Sequence, residues 1–521
     1  LSRHPWKHPE MQNSAKPLRK IVIVGGGAAG WMSAAALSAV LKPPYEIRLV
    51  ESEEIGILGV GEATIPLISM FNGLARLDEA AFMKATQATF KLGIEFVNWG
   101  RQGERYFHGF GRVGKEPLWP VDFTQYWLRM RALGRAQPIE AYVMSAAAAQ
   151  AGRFMLPRRE MQNSPLADLA YAYHFDAGLY ARHLRALSEQ RGVRRTEGKV
   201  VRVLLDDQAG PTQGHVRAVQ LESGEQVAGD LFLDCTGFAG LLIDKALGVG
   251  FEDWRHWLPC DRAWAVPSES TKPLLPYTRA TAHRAGWQWR IPLQHRVGNG
   301  HVYSSQHMSD DEAASVLLRH LDAPPLADPR LIRFRTGMRH DAWARNVVAI
   351  GMSAGFVEPL ESTALHLIQM GIAGLIEAFP HEGFDPTEIA EYNRRSRERY
   401  ESVRDFIVLH YHLNQRQDGG FWDACAHMAV PDKLRWRMDL YAASGRLVYV
   451  DTDLFREPSW FEVMEGQNLR PRRWLPLTEL QGVEETAAYL KGVSDTIANC
   501  VGVMPGHEEF VRHYCAAGAG R

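Results

Sequence analysis

The chain has 521 residues, 46% hydrophobic and 23% charged, with Lys+Arg 59 against Asp+Glu 60 and a net charge of -1. That length exceeds a single core, so two or three intertwined modules are expected, and the charge balance gives no electrostatic reason to expect nucleic acid or an anionic membrane surface as partner. The five cysteines are scattered without a Cys-x-x-Cys pair; with no signal-peptide pattern and no apolar run of spanning length, they read as buried or inert thiols of a cytoplasmic protein.

In chain order, residues 1–10 precede Met11 without periodicity and read as an appended expression scar outside the fold. Arg19–Val24 is predicted as a short buried strand, Ala28–Val40 as a helix, and Ile47–Val50 as a second strand ending at Glu51. Together they make a βαβ start of about thirty residues. Ala81–Trp99 mixes helix-like and strand-like spacing, while Asp122–Leu133 and Ala141–Ala151 read as helices. Asp176–Arg191 reads as an amphipathic helix capped by Asp176, with Leu179, Leu184 and Leu187 apolar. Val200–Leu205 and Val216–Leu221 flank polar turn material and predict a hairpin. Leu231–Asp234 and Val347–Ile350 are buried strands, followed by Thr236-Gly237 and by Gly351; roughly 261–335, between them, is expected to be an inserted sheet layer. Ser362–Phe379 is predicted as a helix stopped by Pro380, and Thr387–Leu413 and Pro431–Ala443 as further helices, whereas Asp451–Gly466 has irregular spacing.

The apolar run Ile21-Val22-Ile23-Val24 leads into Gly25-Gly26-Gly27-Ala28-Ala29-Gly30. In such a turn the first glycine permits the sharp bend, the second lets backbone approach a pyrophosphate, and the third lets helix pack on strand. The free N–H groups of the helix start then meet phosphate. Glu51, about twenty residues past Gly30, is placed to bind ribose hydroxyls, or else is a solvated carboxylate at a strand end. The pattern alone does not separate NAD from FAD.

Three other stretches carry chemistry. Trp287 and Trp289 in Trp287-Gln288-Trp289-Arg290-Ile291-Pro292 share one face of a strand ended by Pro292; the bland reading is a core-facing aromatic pair. Lys91, in Ala88-Thr89-Phe90-Lys91-Leu92-Gly93-Ile94, has apolar neighbours that favour burial, against the usual exposed lysine. Gly355-Phe356-Val357-Glu358-Pro359-Leu360-Glu361-Ser362-Thr363 puts carboxylates before a helix start. The first-turn N–H groups there form a natural halide site, against simple capping by Ser362 and Thr363. A metal search finds no His-Glu-x-x-His, and His410 and His412, two apart on a helix, face different sides.

These stretches together resemble the flavin-dependent halogenases, the tryptophan and indole halogenase group, from about Lys20 to about Asn468 and most strongly before Pro380. The resemblance implies an α/β fold: a discontinuous FAD-binding doubly wound module of the aromatic-hydroxylase type over 11–380, with the inserted β layer, and a mainly helical substrate module over 381–521. It implies FAD held by Gly25, Gly27, Ala28, Ala29, Gly30, Glu51 and Gly351, with Trp287 and Trp289 near the flavin, keeping organic substrate away from it. Lys91 is implied as essential. It would hold hypohalous acid by a hydrogen bond or become a haloamine, and the residues do not choose between these. Glu361 is implied as the catalytic carboxylate, with Glu358 second. Halide is implied at Ser362, Thr363 and Ala364; many members have glycine where this chain has Ala364, so chloride against bromide stays open. Tyr106-Phe107-His108-Gly109-Phe110-Gly111 matches the stretch that places His108 and Phe110 around an indole, and Phe455 and Trp460 are candidates for further walls. The tyrosine pair and acid that grip an amino-acid backbone find no counterpart in Tyr449–Phe455 or Ser459–Phe461. The expected substrate is therefore a small indole-like or other electron-rich aromatic rather than free tryptophan. A separate NADH-dependent flavin reductase and a homodimer are family-level expectations. The rivals are a flavin-dependent aromatic monooxygenase, which needs neither Lys91 nor halide, and a non-catalytic flavin-binding protein.

Overall fold

A six-stranded sheet has the spatial order Trp343–Ala344, Val347–Ala349, Leu231–Asp234, Lys20–Val24, Glu46–Glu51, Arg194–Glu197. All neighbours are parallel except the first pair. Its central strands are continuous apolar runs because both faces are covered. The helix Ala28–Val40 lies on it, buried from Gly30 through Ala39 and packed against the helices Ala177–Gln190 and Ala364–Glu377. The computed structural model describes residues 17–54, 61–115, 121–210, 212–380 and 382–518; the scar expected at 1–10 lies outside them.

A second, seven-stranded sheet has the order Arg330–Arg333, Arg262–Ser268, Val297–Tyr303, Gly286–Pro292, Thr278–His283, Gly93–Val97, Arg105–Gly109. The layer expected from about 261–335 thus supplies five strands, and two come from much earlier in the chain. Gly93–Val97 pairs in parallel with Thr278–His283, closing an edge that the later segment would leave open. A small antiparallel sheet of Gly61–Ala63, Ala172–Asp176 and Thr89–Lys91 sits beside it. From Ala364 to Cys515 the regular elements are helices, one short 3-10 turn included.

The hairpin Val200–Leu205/Val216–Leu221 and the helix start at Asp176, whose side chain accepts from the Leu179 N–H at 2.9 Å, match the sequence expectation. Three elements differ. The helix expected over Ala141–Ala151 is a 3-10 turn, Ile139–Tyr142, followed by a helix from Met144 to Gln150. The helix expected from Ser362 begins at Ala364, because Ser362 takes φ 59° to close the 3-10 turn Pro359–Glu361. The irregular stretch before Gly466 contains a helix, Glu457–Gly466. Six consecutive residues from Trp460 to Glu465 are buried, which erases amphipathic spacing, and Pro458 sits in the first turn, where proline is favoured rather than a breaker. All five cysteines are free thiols. Among the described residues no helix is long and apolar enough to cross a membrane.

Candidate active site

The glycine turn is tight on one side and open on the other. Gly25 has φ +114°, and a Cβ there would lie 2.3 Å from the Cys235 carbonyl oxygen; a Cβ on Gly30 would lie 1.8 Å from the Gly25 oxygen. Gly27, by contrast, faces open space. The helix from Ala28 has no acidic residue in its first turn and no side-chain cap. Its N–H groups therefore point unshielded into room that a diphosphate would fill. Gly351 packs on Ala29, and the Glu51 carboxylate reaches over Gly26. Glu51 is aimed by Arg195 Nε at 2.6 Å and Trp31 Nε1 at 3.3 Å. This cradle and acid fit a dinucleotide cofactor, and the expected set from Gly25 to Gly30 with Glu51 and Gly351 is brought together.

Lys91 ends the strand Thr89–Lys91 and is fully buried. Its Nζ donates to the Thr64 carbonyl and to Ser362 Oγ, both at 2.9 Å, and lies 5.2 Å from the centre of the Phe110 ring. Burial lowers its pKa from 10.5 to about 7, against the pull of Glu361. The strand is fixed from behind. Thr89 donates its hydroxyl to the Pro292 carbonyl at 2.7 Å and also contacts His174 Nδ1 at 3.0 Å. The proline closing the tryptophan motif thus anchors the lysine strand. Burial, then the neighbouring Lys91, His507 and Arg290, hold His174 well below the usual imidazole range.

Glu361 is also buried and lies between two imidazoles: His108 Nδ1 is 3.0 and 3.1 Å from its two oxygens, and His410 Nε2 is 2.9 Å from Oε1. Burial alone would raise its pKa, but His108 and His410 outweigh it and hold the carboxyl at about 2. Ser362, which meets Lys91, is its chain neighbour. Behind it the helix from Ala364 offers its first-turn N–H groups, and the buried Thr363 hydroxyl has no hydrogen-bond partner among the described residues. Such a set can receive an anion. Ala364 stands in the helix without positive φ, so this position does not need glycine's freedom.

Trp287 and Trp289 sit on one face of Gly286–Pro292, ring centres 6.1 Å apart. Trp289 packs over Gly300 of the neighbouring strand, and Trp287 reaches toward Glu358. Trp287 Nε1 donates to Glu358 Oε2 at 3.2 Å, and the Tyr411 hydroxyl donates to the same oxygen at 2.6 Å. Burial pushes the Glu358 carboxyl up to about 7 although both donors oppose it. The Trp99 ring touches Trp287 at 6.3 Å and His410 at 6.1 Å, so the pair connects through packed rings to the Glu361 cluster. The two carboxylates of one segment are thus divided: Glu358 braces the tryptophans, and Glu361 faces the lysine side.

His108 and Phe110 flank the same space, with Phe455 behind: its ring stacks on Phe406 at 3.9 Å and lies 6.1 Å from His108. Trp460 meets Phe406 at 4.9 Å. Sequence reasoning missed three members. His410 was weighed only as a metal ligand, and Tyr411 carries no motif signal. Glu462, in the helix that read as irregular, is buried beside the Gly109 N–H, its pKa raised by that burial.

A nucleotide cradle at the carboxyl ends of the parallel strands, together with a buried lysine–carboxylate cluster linked through packed rings to a tryptophan pair, defines a dinucleotide-binding enzyme class. The family model for tryptophan halogenase matches residues 20–482. The chain is 38% identical over 449 residues to tryptophan 6-halogenase SttH of Streptomyces toxytricini, covering 81% of this chain and 84% of that protein. Among solved structures it is similar to Xcc4156, a flavin-dependent halogenase from Xanthomonas campestris (48% identity, TM-score 0.93, 97% of this chain and 100% of that one). It is also similar to BrvH, a flavin-dependent halogenase from Brevundimonas sp. BAL3 (45%, 0.91, 95% and 99%). The chain belongs to the tryptophan halogenase family and is a flavin-dependent halogenase.

Proposed function

We propose that the protein halogenates an indole-like or other electron-rich aromatic, using Lys91 as the group that receives the activated halogen and FAD as its flavin. Reduced FAD, expected from a separate NADH-dependent reductase, supplies with oxygen the power to oxidise chloride or bromide to hypohalous acid. The cradle from Gly25 to Gly30 and Glu51 would hold the diphosphate and ribose. Thr363 and the first-turn N–H groups at Ala364 would hold halide.

The observation that carries this reading is the placement of Lys91. A fully buried amine with pKa about 7, hydrogen-bonded to Ser362 and the Thr64 carbonyl, is nucleophilic at neutral pH. It either donates to the hypohalous oxygen or is halogenated on Nζ. An aromatic ring between His108 and Phe110 would then present one carbon to it. Glu361 would take the proton that this carbon loses.

The substrate side favours a ring without a zwitterionic head. Asp453, the buried acid nearest the Phe455 wall in sequence, is occupied by Arg437 and Lys433. The test is a competition between indole and free tryptophan, with FAD, a generic NADH-dependent flavin reductase, oxygen, and chloride or bromide, read by halogen isotope patterns. Halogenated indole should exceed halogenated tryptophan by at least about tenfold. Preferential halogenation of tryptophan would overturn the substrate assignment.

A further inference from the structure

His410 stands on the helix Pro386–His412, fully buried, and so far figures only as one of the two imidazoles beside Glu361. Its Nδ1 lies 2.8 Å from the Phe406 carbonyl oxygen. A carbonyl only accepts, so Nδ1 carries a proton. Its Nε2 lies 2.9 Å from Glu361 Oε1, short but outside good hydrogen-bond alignment. In the neutral ring that nitrogen carries no hydrogen, so a carboxylate oxygen would be held 2.9 Å from an acceptor nitrogen in a buried site, with no proton to bind them and no water to separate them. His108 does not change this, because its single Nδ1 already bridges both carboxylate oxygens.

We propose that one extra proton resides between His410 Nε2 and Glu361 Oε1, making the pair net neutral and leaving Lys91 without an uncompensated counter-charge. His410 is then a positioning residue acting through Glu361: it keeps the Lys91 amine free to lose its proton. This rests on the reading of Lys91 as the halogen-receiving group.

Of the other groups around the cluster, His108 is the one that also meets Glu361, through Nδ1 on both carboxylate oxygens, and it is left in place in both variants below, so that their response reports His410. Glu361 faces Lys91, His108, His410, Tyr106 and Glu462. Burial raises the pKa of the Tyr106 phenol and of the Glu462 carboxyl, disfavouring the charged form of each. Around Lys91, the Thr64 carbonyl, Ser362 and the Phe110 ring are uncharged, and His174 is kept neutral. His410 itself is otherwise packed by the rings of Phe96, Trp99 and Phe406.

The test titrates Lys91 directly, by the Cε resonance of protein labelled with carbon-13 lysine, assigned by its loss in Lys91→Arg. His410→Gln keeps an amide donor but cannot carry the proton, so Glu361 becomes an anion held by His108 and that amide, its charge uncompensated by His410. The Lys91 midpoint should then rise by about one pH unit or more. Glu361→Gln, which replaces an already neutral pair, should move the midpoint by less than about half a unit. An unmoved or lowered midpoint in His410→Gln, or a fall of about a unit or more in Glu361→Gln, would overturn the proposal. Either variant decides alone if the other does not fold. The titration needs no turnover, so retained activity in Lys91→Ala would sink the halogen-transfer reading while leaving this result to stand or fall separately.

Discussion

At the scale of single residues, the site is built by making one lysine uncomfortable. Below about pH 7 Lys91 is protonated in both the folded and the unfolded chain, and its burial costs stability in full. Between about 7 and 10.5 the unfolded chain keeps a proton that the folded one has lost, so stability contributed at this site rises with pH. Lys91→Met should therefore be more stable than wild type near pH ~6, by on the order of 1–3 kcal/mol, with the gap closing toward pH ~9. Urea unfolding at the two pH values checks this, and a variant less stable at the lower pH would contradict it. Lys91 and Glu361 were named from the sequence because each sits in a short motif resembling the halogenases, and the burial expected of Lys91 from its apolar neighbours is what the fold shows. His410 was not legible. Its partners lie at positions 108 and 361, and nothing in the spacing of His410 and His412 says that the first turns inward onto a carboxylate while the second is only half-buried.

At the scale of elements, local chemistry was readable wherever one periodicity dominated. The first strand, its glycine turn and the helix Ala28–Val40 fall within a residue of expectation, because strand, turn and helix signals agree. The helix Glu457–Gly466 did not show itself, since a segment buried on nearly every side has no polar face to mark its period. The last helix, His507–Cys515, has a role that only the fold reveals. His507 Nε2 accepts the Phe90 N–H at 3.2 Å, while Nδ1 donates to the Leu274 carbonyl at 2.8 Å. The C-terminal helix thus holds the edge of the strand that ends in Lys91. His507→Ala leaves the buried Phe90 N–H without its acceptor, so it should cost about 1–3 kcal/mol in denaturant unfolding. It should also slow halogenation by letting Lys91 drift. Unchanged stability and rate would remove this helix from the support of the site.

At the scale of the whole molecule, two sheets and a helical layer hold the glycine turn and the lysine–carboxylate cluster on different elements while binding them mechanically. The glycine turn belongs to the parallel sheet, Lys91 to a small sheet beside the second one, and Glu361 to the segment entering the helical layer. Pro292 and Glu358 are the joints: one carbonyl holds the lysine strand through Thr89, and one carboxylate holds Trp287 and Tyr411. Class and cofactor cradle were legible because a strand–glycine–helix unit is local. The second sheet was only half legible, since Gly93–Val97 and Arg105–Gly109 join it from far upstream, and pairing between distant segments leaves no mark in either one. The claim that oxidation and halogen transfer occur at separate places is tested most directly in Lys91→Ala. The variant is supplied with reduced FAD, oxygen, bromide and indole, with a dimedone reagent in large excess over indole so that released hypobromous acid is trapped before it meets the ring, and products are read by mass spectrometry. The expected result is trapped oxidant at close to the wild-type rate, with brominated indole reduced by at least about a hundredfold. Bromination by the variant at the wild-type rate, at the same carbon of the ring, would contradict it.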